Sequence, residues 1–411
     1  MDARVLILLC LEALFALWLL WRAKLLNTTP RLVVSLVLIA AAFVVRGLCL
    51  DYQTLDYQNF LSHWVAFYRS HGGFRSFYYP LGNYNIPYMY FLCLFSYLSV
   101  PDLYLIKLLS IFFDVLLAYS SMRLLRTVNQ KENVLLACFF VILFLPTVVL
   151  NGALWGQCDS IYVALAVLAV AYAMEDRPIP AVLFFTLSFG FKLQAVFMLP
   201  ILAVFWFQKR MKLWHFLLFP VFYVLLVLPA VALGKPFLDT LTLYASQTGS
   251  IGDGLNYNSP SIYAFFWRTQ NTESASALGI AGAFTYLAAL LLFAFTRRKR
   301  LNDRAILTLL LLMAVGIPFL LPHMHDRYFF AADVLSVVFA FACPLCFAAA
   351  PLTQFASLLG YHAYLKMRWL LYMNHGARAL IAVLAMAFAR LLWETQAPDL
   401  PEKSEKIKNQ P

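Results

Sequence analysis

Charge is scarce in this chain. Of 411 residues only 12% are Asp, Glu, Lys or Arg, against 63% hydrophobic, and the mean hydropathy is +0.76. One soluble core cannot hide so much apolar surface, so a soluble globular protein is excluded and an all-α polytopic membrane protein is the expected class. Soluble stretches are lacking too. A bilayer core about 30 Å thick needs roughly 17 to 25 apolar residues per helix, and such runs recur without a soluble domain between them. Residues 1–393 therefore read as one integral-membrane unit. The seven cysteines are scattered, and Cys10, Cys93, Cys138, Cys343 and Cys346 sit in apolar runs, which excludes a disulfide framework. Cys343 and Cys346 have redox-motif spacing but the flanks of a membrane helix, so they read as packing. There is no repeat of 20 to 50 residues and no two-half symmetry. Acidic residues number 20 against 31 basic ones, for a net charge of +11. That excess lies in short clusters between apolar runs, where it reports orientation and contact with membrane lipid; no nucleic-acid partner is expected.

The basic loops, which should lie in the cytoplasm, are Arg22 to Arg31, Arg123 to Lys131, Glu175 to Arg177, Lys209 to Lys212 and Arg297 to Arg304. Residues 5–21 are followed by Arg22 and Lys24 without a small-residue cleavage pattern, so they read as a helix and not as a signal sequence. Spans at 5–21 and 32–50 then place a first external loop, 51–101, on the outer face. Within it residues 87–100 are too few for an ordinary span and suit an interfacial helix, which keeps Arg123, Arg126 and Lys131 inside after a span at 103–121. Parity also demands an even number of crossings from residues 179–207, met by two half-spans joined near Phe191, Lys192, Leu193 and Gln194. With spans near 134–150, 158–174, 213–233, 275–295, 305–321, 328–347, 349–364 and 377–393 the total is about thirteen transmembrane helices. The outer face of the cell membrane then receives 51–85, 151–159, Lys192, the external loop 234–274 and 322–327. Residues 394–411, with three lysines and three prolines after Glu394, read as a disordered cytoplasmic tail.

On that outer face stand the residues able to carry chemistry. Asp51 and Asp56 follow a span whose outer end carries Arg46. Asp56 precedes an amphipathic pattern with Phe60, His63, Trp64 and Phe67, so it suits either an N-cap or a general base, which needs a carboxylate within about 3 Å of an incoming hydroxyl. Asn83 to Tyr90 opens the interfacial helix, with Pro87 suited to its first turn and Tyr84, Tyr88 and Tyr90 to the interface. In Trp155-Gly156-Gln157-Cys158-Asp159-Ser160 the glycine permits a tight turn, and Asp159 suits a helix cap or sugar hydroxyls equally. Lys192 and Gln194 lie where two half-helices meet, a costly place for charge unless it faces water or an anion such as phosphate. In His323-Met324-His325-Asp326-Arg327-Tyr328 the arginine can hold a phosphate bidentately while a histidine donates a further bond. A metal site from these side chains lacks a further clear ligand, so none is expected. Asp114, at helical spacing from Lys107, suits a structural ion pair or a cavity group. The glycine-rich stretch Gly249 to Asn258 suits a lid, an acceptor-binding loop or an ordinary connector.

Taken together these blocks resemble the GT-C glycosyltransferases, multi-spanning enzymes that use polyprenyl-phosphate sugars, and the resemblance covers most of the chain. Asp56 to Trp64 looks like the Asp-Tyr…His-Trp stretch in the first external loop of the eukaryotic glucosyltransferases that extend lipid-linked oligosaccharide. Asn83 to Tyr90 is similar to the Tyr-Pro-Pro-Leu segment that follows there, with Asn85-Ile86-Pro87 replacing the double proline. Trp155 to Ser160, Phe191 to Gln194 and Met324 to Asp333 look like blocks of bacterial members. The resemblance implies a GT-C-like helical bundle and an inverting transfer from a polyprenyl-phosphate-linked sugar donor to a glycan, lipid or protein acceptor. Asp56 would be the general base, and Lys192, His325 and Arg327 would stabilise the phosphate. Arg46, Asp51, His63, Tyr84, Gln157, Asp159, Gln194, His323 and Asp326 complete the expected binding group. No cofactor is needed, because phosphate is already a good leaving group.

Two other classes compete. A polyprenyl-linked glycan polymerase, ligase or flippase predicts an arginine-lined central path, whereas the basic residues here are mostly in the basic loops. An ion-coupled transporter expects broken helices in both halves of a repeat, and only one broken pair is legible.

Overall fold

The computed structural model describes residues 2–82, 84–249, 254–266 and 272–396. Asn83, part of the glycine-rich stretch (250–253), residues 267–271 of the external loop and the tail from 397 onward lie outside the described residues. The rest is a bundle of helices with a single pair of two-residue strands among the described residues, Asn256–Tyr257 parallel to Met324–His325.

Among the described residues, seven helices are long and apolar enough to cross a membrane: Ala3–Arg22, Thr29–Cys49, Asp102–Arg126, Leu213–Ala232, Thr272–Thr296, Asp303–Leu320 and Met373–Glu394. Glu132–Leu143 and Pro146–Trp155, meeting at 45°, make an eighth if they form one bent span. The expected thirteen is therefore not confirmed. The other five expected spans are present as shorter helices, Asp159–Met174, Pro178–Phe191, Leu193–Phe207, Phe330–Ala342 and Ala349–Leu365. At 1.5 Å per residue, the 13 residues of Phe330–Ala342 reach about 20 Å, short of a bilayer core about 30 Å thick. Apolar runs overstate helix length where the backbone breaks inside them, at Pro146 and at Pro344.

Burial sorts the helices into two rings. In the most apolar window of Asp303–Leu320 83% of residues are buried, against 17% in Thr272–Thr296, so the first packs inside the protein and the second presents its side chains to lipid. Helix Asp102–Arg126 is the other inner strut, packed on Asp159–Met174, which in turn packs on Pro178–Phe191.

The two ends of the bundle differ in chemistry. At one end the basic loops bind one another: Arg31 pairs with Glu132, Arg123 donates to Glu175 at 2.6 and 2.8 Å, and Arg210 reaches Asp176 at 2.6 Å and Asp303 at 3.3 Å. At the other end Lys107 Nζ donates to the carbonyls of Cys49, Leu50 and Tyr52 at 2.6–2.9 Å, capping the end of Thr29–Cys49 and fixing where residues 51–56 leave it. Helix Ile86–Phe95 has 10 residues, too few to span, and is largely buried against its neighbours.

Candidate active site

Six segments bring side chains together at the end of the bundle opposite the basic loops. The first carries Asp56, in a helical turn whose amides its carboxylate does not cap. Asp56 Oδ2 instead accepts Trp155 Nε1–H at 2.9 Å and Gln157 Nε2–H at 2.6 Å, and lies 3.9 Å from Arg327 Nη1. The capping role open to Asp56 is thus taken by a tertiary one.

Trp155 and Gln157 owe their positions to the turn between them. Residues 150–155 form a wide helical turn that ends at Gly156, whose φ of +79° is the left-handed conformation that glycine adopts without strain. The reversed chain starts a new helix at Asp159. Gln157 is fixed twice more, its Oε1 accepting from Tyr84 Oη at 3.1 Å and its carbonyl from Ser110 at 2.7 Å. The buried Trp155 ring stacks on Tyr364 at 4.1 Å, and the Arg327 guanidinium lies over it at 5.1 Å.

Asp159 is almost wholly buried and bridges two cations. Its Oδ1 accepts from Lys192 Nζ; its Oδ2 accepts from Asn151 Nδ2 at 2.8 Å and lies 3.6 Å from Arg327 Nε. Lys192 arrives there because Pro178–Phe191 ends at it: its backbone is extended, and a 3₁₀ turn, Leu193–Phe197, follows. Gln194 in that turn has a buried Oε1 with no hydrogen-bond partner among the described residues.

The sixth segment carries His323 to Arg327. His323 has a φ of +61°; its ring contacts the Gly254 carbonyl at 2.8 Å and Ser276 at 3.1 Å, so it pins this loop to the 254–258 segment. His325 stacks on Tyr257 at 4.7 Å, and burial, with Arg327 and Lys192 adding to it, pushes its imidazole down to about 4. Burial pushes the Asp326 carboxyl up to about 7, against the pull of Arg327 3.6 Å away. Among the described residues Asp326 Oδ1 and Arg327 Nε are buried without hydrogen-bond partners, so this arginine is held by charge and ring contact with donor capacity unspent.

The structure thus groups Asp56, Tyr84, Gln157, Asp159, Lys192, His325, Asp326 and Arg327. Arg46 is elsewhere: fully buried, it donates to Asp114 Oδ2 at 3.0 and 3.1 Å and to the Leu143 carbonyl at 2.9 Å. Asp114 also accepts from Ser160 at 2.5 Å, so this pair braces the helix that carries Asp159. Asp51 is exposed and accepts from Tyr104 at 2.8 Å. His63 is exposed and takes no part in the cluster's bonds. Sequence reasoning passed over Asn151, Trp155, Tyr257, Tyr361 and Tyr364 as site residues. The spacing of the last two on one helix was the available signal, since it puts both rings against Trp155. Among the described residues, no three His, Cys, Asp or Glu side chains are grouped as ligands for a metal ion.

The model of glycosyltransferase family 87 matches residues 83–322, more than half of the chain. Tyr84, Gln157, Asp159, Lys192 and Gln194 fall within the match, while Asp56 and His325 to Arg327 flank it. No curated protein and no solved structure matches the chain.

Proposed function

This chain belongs to glycosyltransferase family 87, a membrane glycosyltransferase, and from that premise we propose an inverting sugar transfer from a polyprenyl-phosphate donor with Asp56 as general base. The observation that carries the reading is the seating of Asp56: a carboxylate held by two N–H donors and 3.9 Å from Arg327, which shares Asp159 with Lys192, at one end of an apolar bundle. A general base must be fixed where the acceptor hydroxyl arrives, and the two hydrogen bonds to the carboxylate hold it there.

In the proposed step Asp56 takes the proton of the acceptor hydroxyl, whose oxygen forms a bond to the anomeric carbon. The bond from that carbon to the phosphate oxygen breaks on the opposite face, and polyprenyl phosphate leaves with the electron pair. Arg327 and Lys192 meet the growing charge on the phosphate, and the unspent Arg327 Nε–H is suited to one of its oxygens. Asp159, which now neutralises both cations, gives way in part as the phosphate enters. The basic loops at the opposite end favour a cytoplasmic position there, which supports a reaction on the outer face.

The test is transfer by the full-length protein in lipid nanodiscs from a panel of polyprenyl-phosphate hexoses. Asp56→Asn is expected to lower turnover by about 10²- to 10⁴-fold with donor binding retained. Asp51→Asn, which loses only an exposed contact with Tyr104, should keep it. Full turnover by Asp56→Asn would refute the assignment.

A further inference from the structure

At the end of the bundle that carries the basic loops, an open cavity of about 460 Å³ lies between residues 128–131, the start of Asp303–Leu320 and the tip of a helical hairpin. That volume is within the range of roughly 300 to 1,000 Å³ found for small-ligand sites. The hairpin is Phe330–Ala342 with Ala349–Leu365, joined through a short turn at Pro344–Cys346. Phe330–Ala342, about 20 Å long, turns back beside Asp303–Leu320, whose 18 residues reach about 27 Å. Phe341, Ala342 and Pro344 give the cavity an apolar floor, and the exposed Lys131 and Arg304 supply its charge.

Each of these cations stands next to an acid in sequence, yet neither acid serves it. Glu132 is taken by Arg31 and by Asn27 at 3.3 Å, and Asp303 by Arg210 at 3.3 Å. Among the described residues the Lys131 ammonium and the Arg304 guanidinium make no hydrogen bond and no ion pair. Their neighbours at this end are paired, Arg123 with Glu175 and Arg390 with Glu394. The turn that follows the cavity floor has the opposite character. Leu345 is 91% exposed and Phe347 70%, and side chains so apolar and so bare belong among lipid chains and not in water. One small surface therefore joins two unneutralised cations to an apolar tip.

We infer that this cavity binds the headgroup of an anionic phospholipid: Lys131 and Arg304 hold its phosphate oxygens, and its acyl chains run along Leu345 and Phe347. Basic pockets between membrane helices hold anionic headgroups in this way. Charge decides the headgroup class. A zwitterionic lipid brings an ammonium or choline group to two cations that have no acid to spare, whereas an anionic headgroup brings none. The apolar tip decides between a lipid and a free phosphate, because a soluble anion would use the cations alone. Position gives the lipid something to hold. The hairpin starts just after Arg327, and its second helix carries Tyr364, which stacks on Trp155, so a lipid at the tip braces two helices whose other ends reach the charged cluster. The site stands apart from the sugar transfer and does not rest on it.

Native mass spectrometry of the full-length protein in detergent, titrated with phosphatidylglycerol or phosphatidylcholine, counts the bound lipids and gives the affinity of the first. Phosphatidylglycerol is expected to bind about tenfold or more tightly than phosphatidylcholine, and to raise the melting temperature where phosphatidylcholine does not. The joint variant Lys131→Gln, Arg304→Gln should lose that preference and that rise. Both side chains are exposed and unbonded, so its folding in phosphatidylcholine is not at stake. Arg297→Gln with Lys299→Gln removes equal charge from the same end outside the cavity, and should keep the preference within about twofold. Equal affinity for the two lipids in the parent, a joint variant that keeps the preference, or a control pair that loses as much would overturn the site. Displacement of phosphatidylglycerol by inorganic phosphate at fixed ionic strength would overturn it too, in favour of a soluble anion.

Discussion

Trp155 donates its indole proton to Asp56 at 2.9 Å, and the same ring lies beneath the Arg327 guanidinium. One side chain therefore positions both the proposed base and the proposed phosphate ligand. Trp155→Phe keeps an aromatic surface for Tyr364 and Arg327 but deletes the N–H. The expected result is a fall in kcat of about tenfold with little change in donor KM, because a freed carboxylate samples poorer geometry while the phosphate site remains. Steady-state kinetics with varied donor checks the split. A rise in KM with unchanged kcat would show that Trp155 serves donor binding instead.

Asp159 and Lys192 invite a test by repair. Lys192→Met leaves a buried carboxylate with Arg327 as its remaining cationic neighbour, and breaking a buried pair costs about 3–5 kcal/mol. The single variant is expected to melt lower and to lose transfer. The double variant Lys192→Met with Asp159→Asn removes the charge as well as its partner and should regain most of the melting temperature without regaining activity. Recovery of both would make the pair purely structural.

The grouping of the site was legible because charge is rare here. In an apolar chain, Asp56, Asp159, Lys192 and Arg327 must face one another or water, and loops placed on one side by the basic connectors have only one end of the bundle to share. Rotation of one helix against another was not legible. Arg46 and Asp51 sit near each other in sequence at the end of one span, yet Arg46 turns inward to Asp114 and Asp51 outward to Tyr104. Helix length was illegible for a related reason. Apolar runs continue through the breaks at Pro146 and Pro344, so hydropathy alone turns short, protein-shielded helices into spans.

The Arg46–Asp114 pair separates bracing from binding. Both side chains are fully buried, and Asp114 also accepts from Ser160, next to Asp159. Arg46→Met should destabilise by about 3–5 kcal/mol, and the joint replacement Arg46→Met, Asp114→Leu should recover much of that loss. Donor KM in the joint variant is expected to stay within about threefold of the parent, read at a temperature where both are folded. A donor KM raised tenfold or more in the stable double variant would return Arg46 to the binding group.

Donor binding should depend on pH, and two groups set the sign. His325 is pushed down to about 4 by burial and by Arg327 and Lys192, so at neutral pH its ring is uncharged. A phosphate bound between those cations offsets their repulsion and raises the ring's proton affinity; by linkage, a ligand that raises a pKa binds more tightly as pH falls. Asp326, pushed up to about 7 by burial, acts in the same direction, because its protonation removes a negative charge from beside the anion. Donor affinity is therefore expected to increase as pH falls from 8 to 6, the window in which Asp326 takes its proton. Asp326→Asn, neutral throughout, should bind the donor more tightly at pH 8 and flatten the profile, whereas His325→Phe should weaken the donor most at the acid end. Titration of the nanodisc-embedded protein with a polyprenyl-phosphate hexose at fixed ionic strength reads all three profiles. An affinity that increases with pH in the parent would mean that no proton accompanies the phosphate, and that neither side chain faces it.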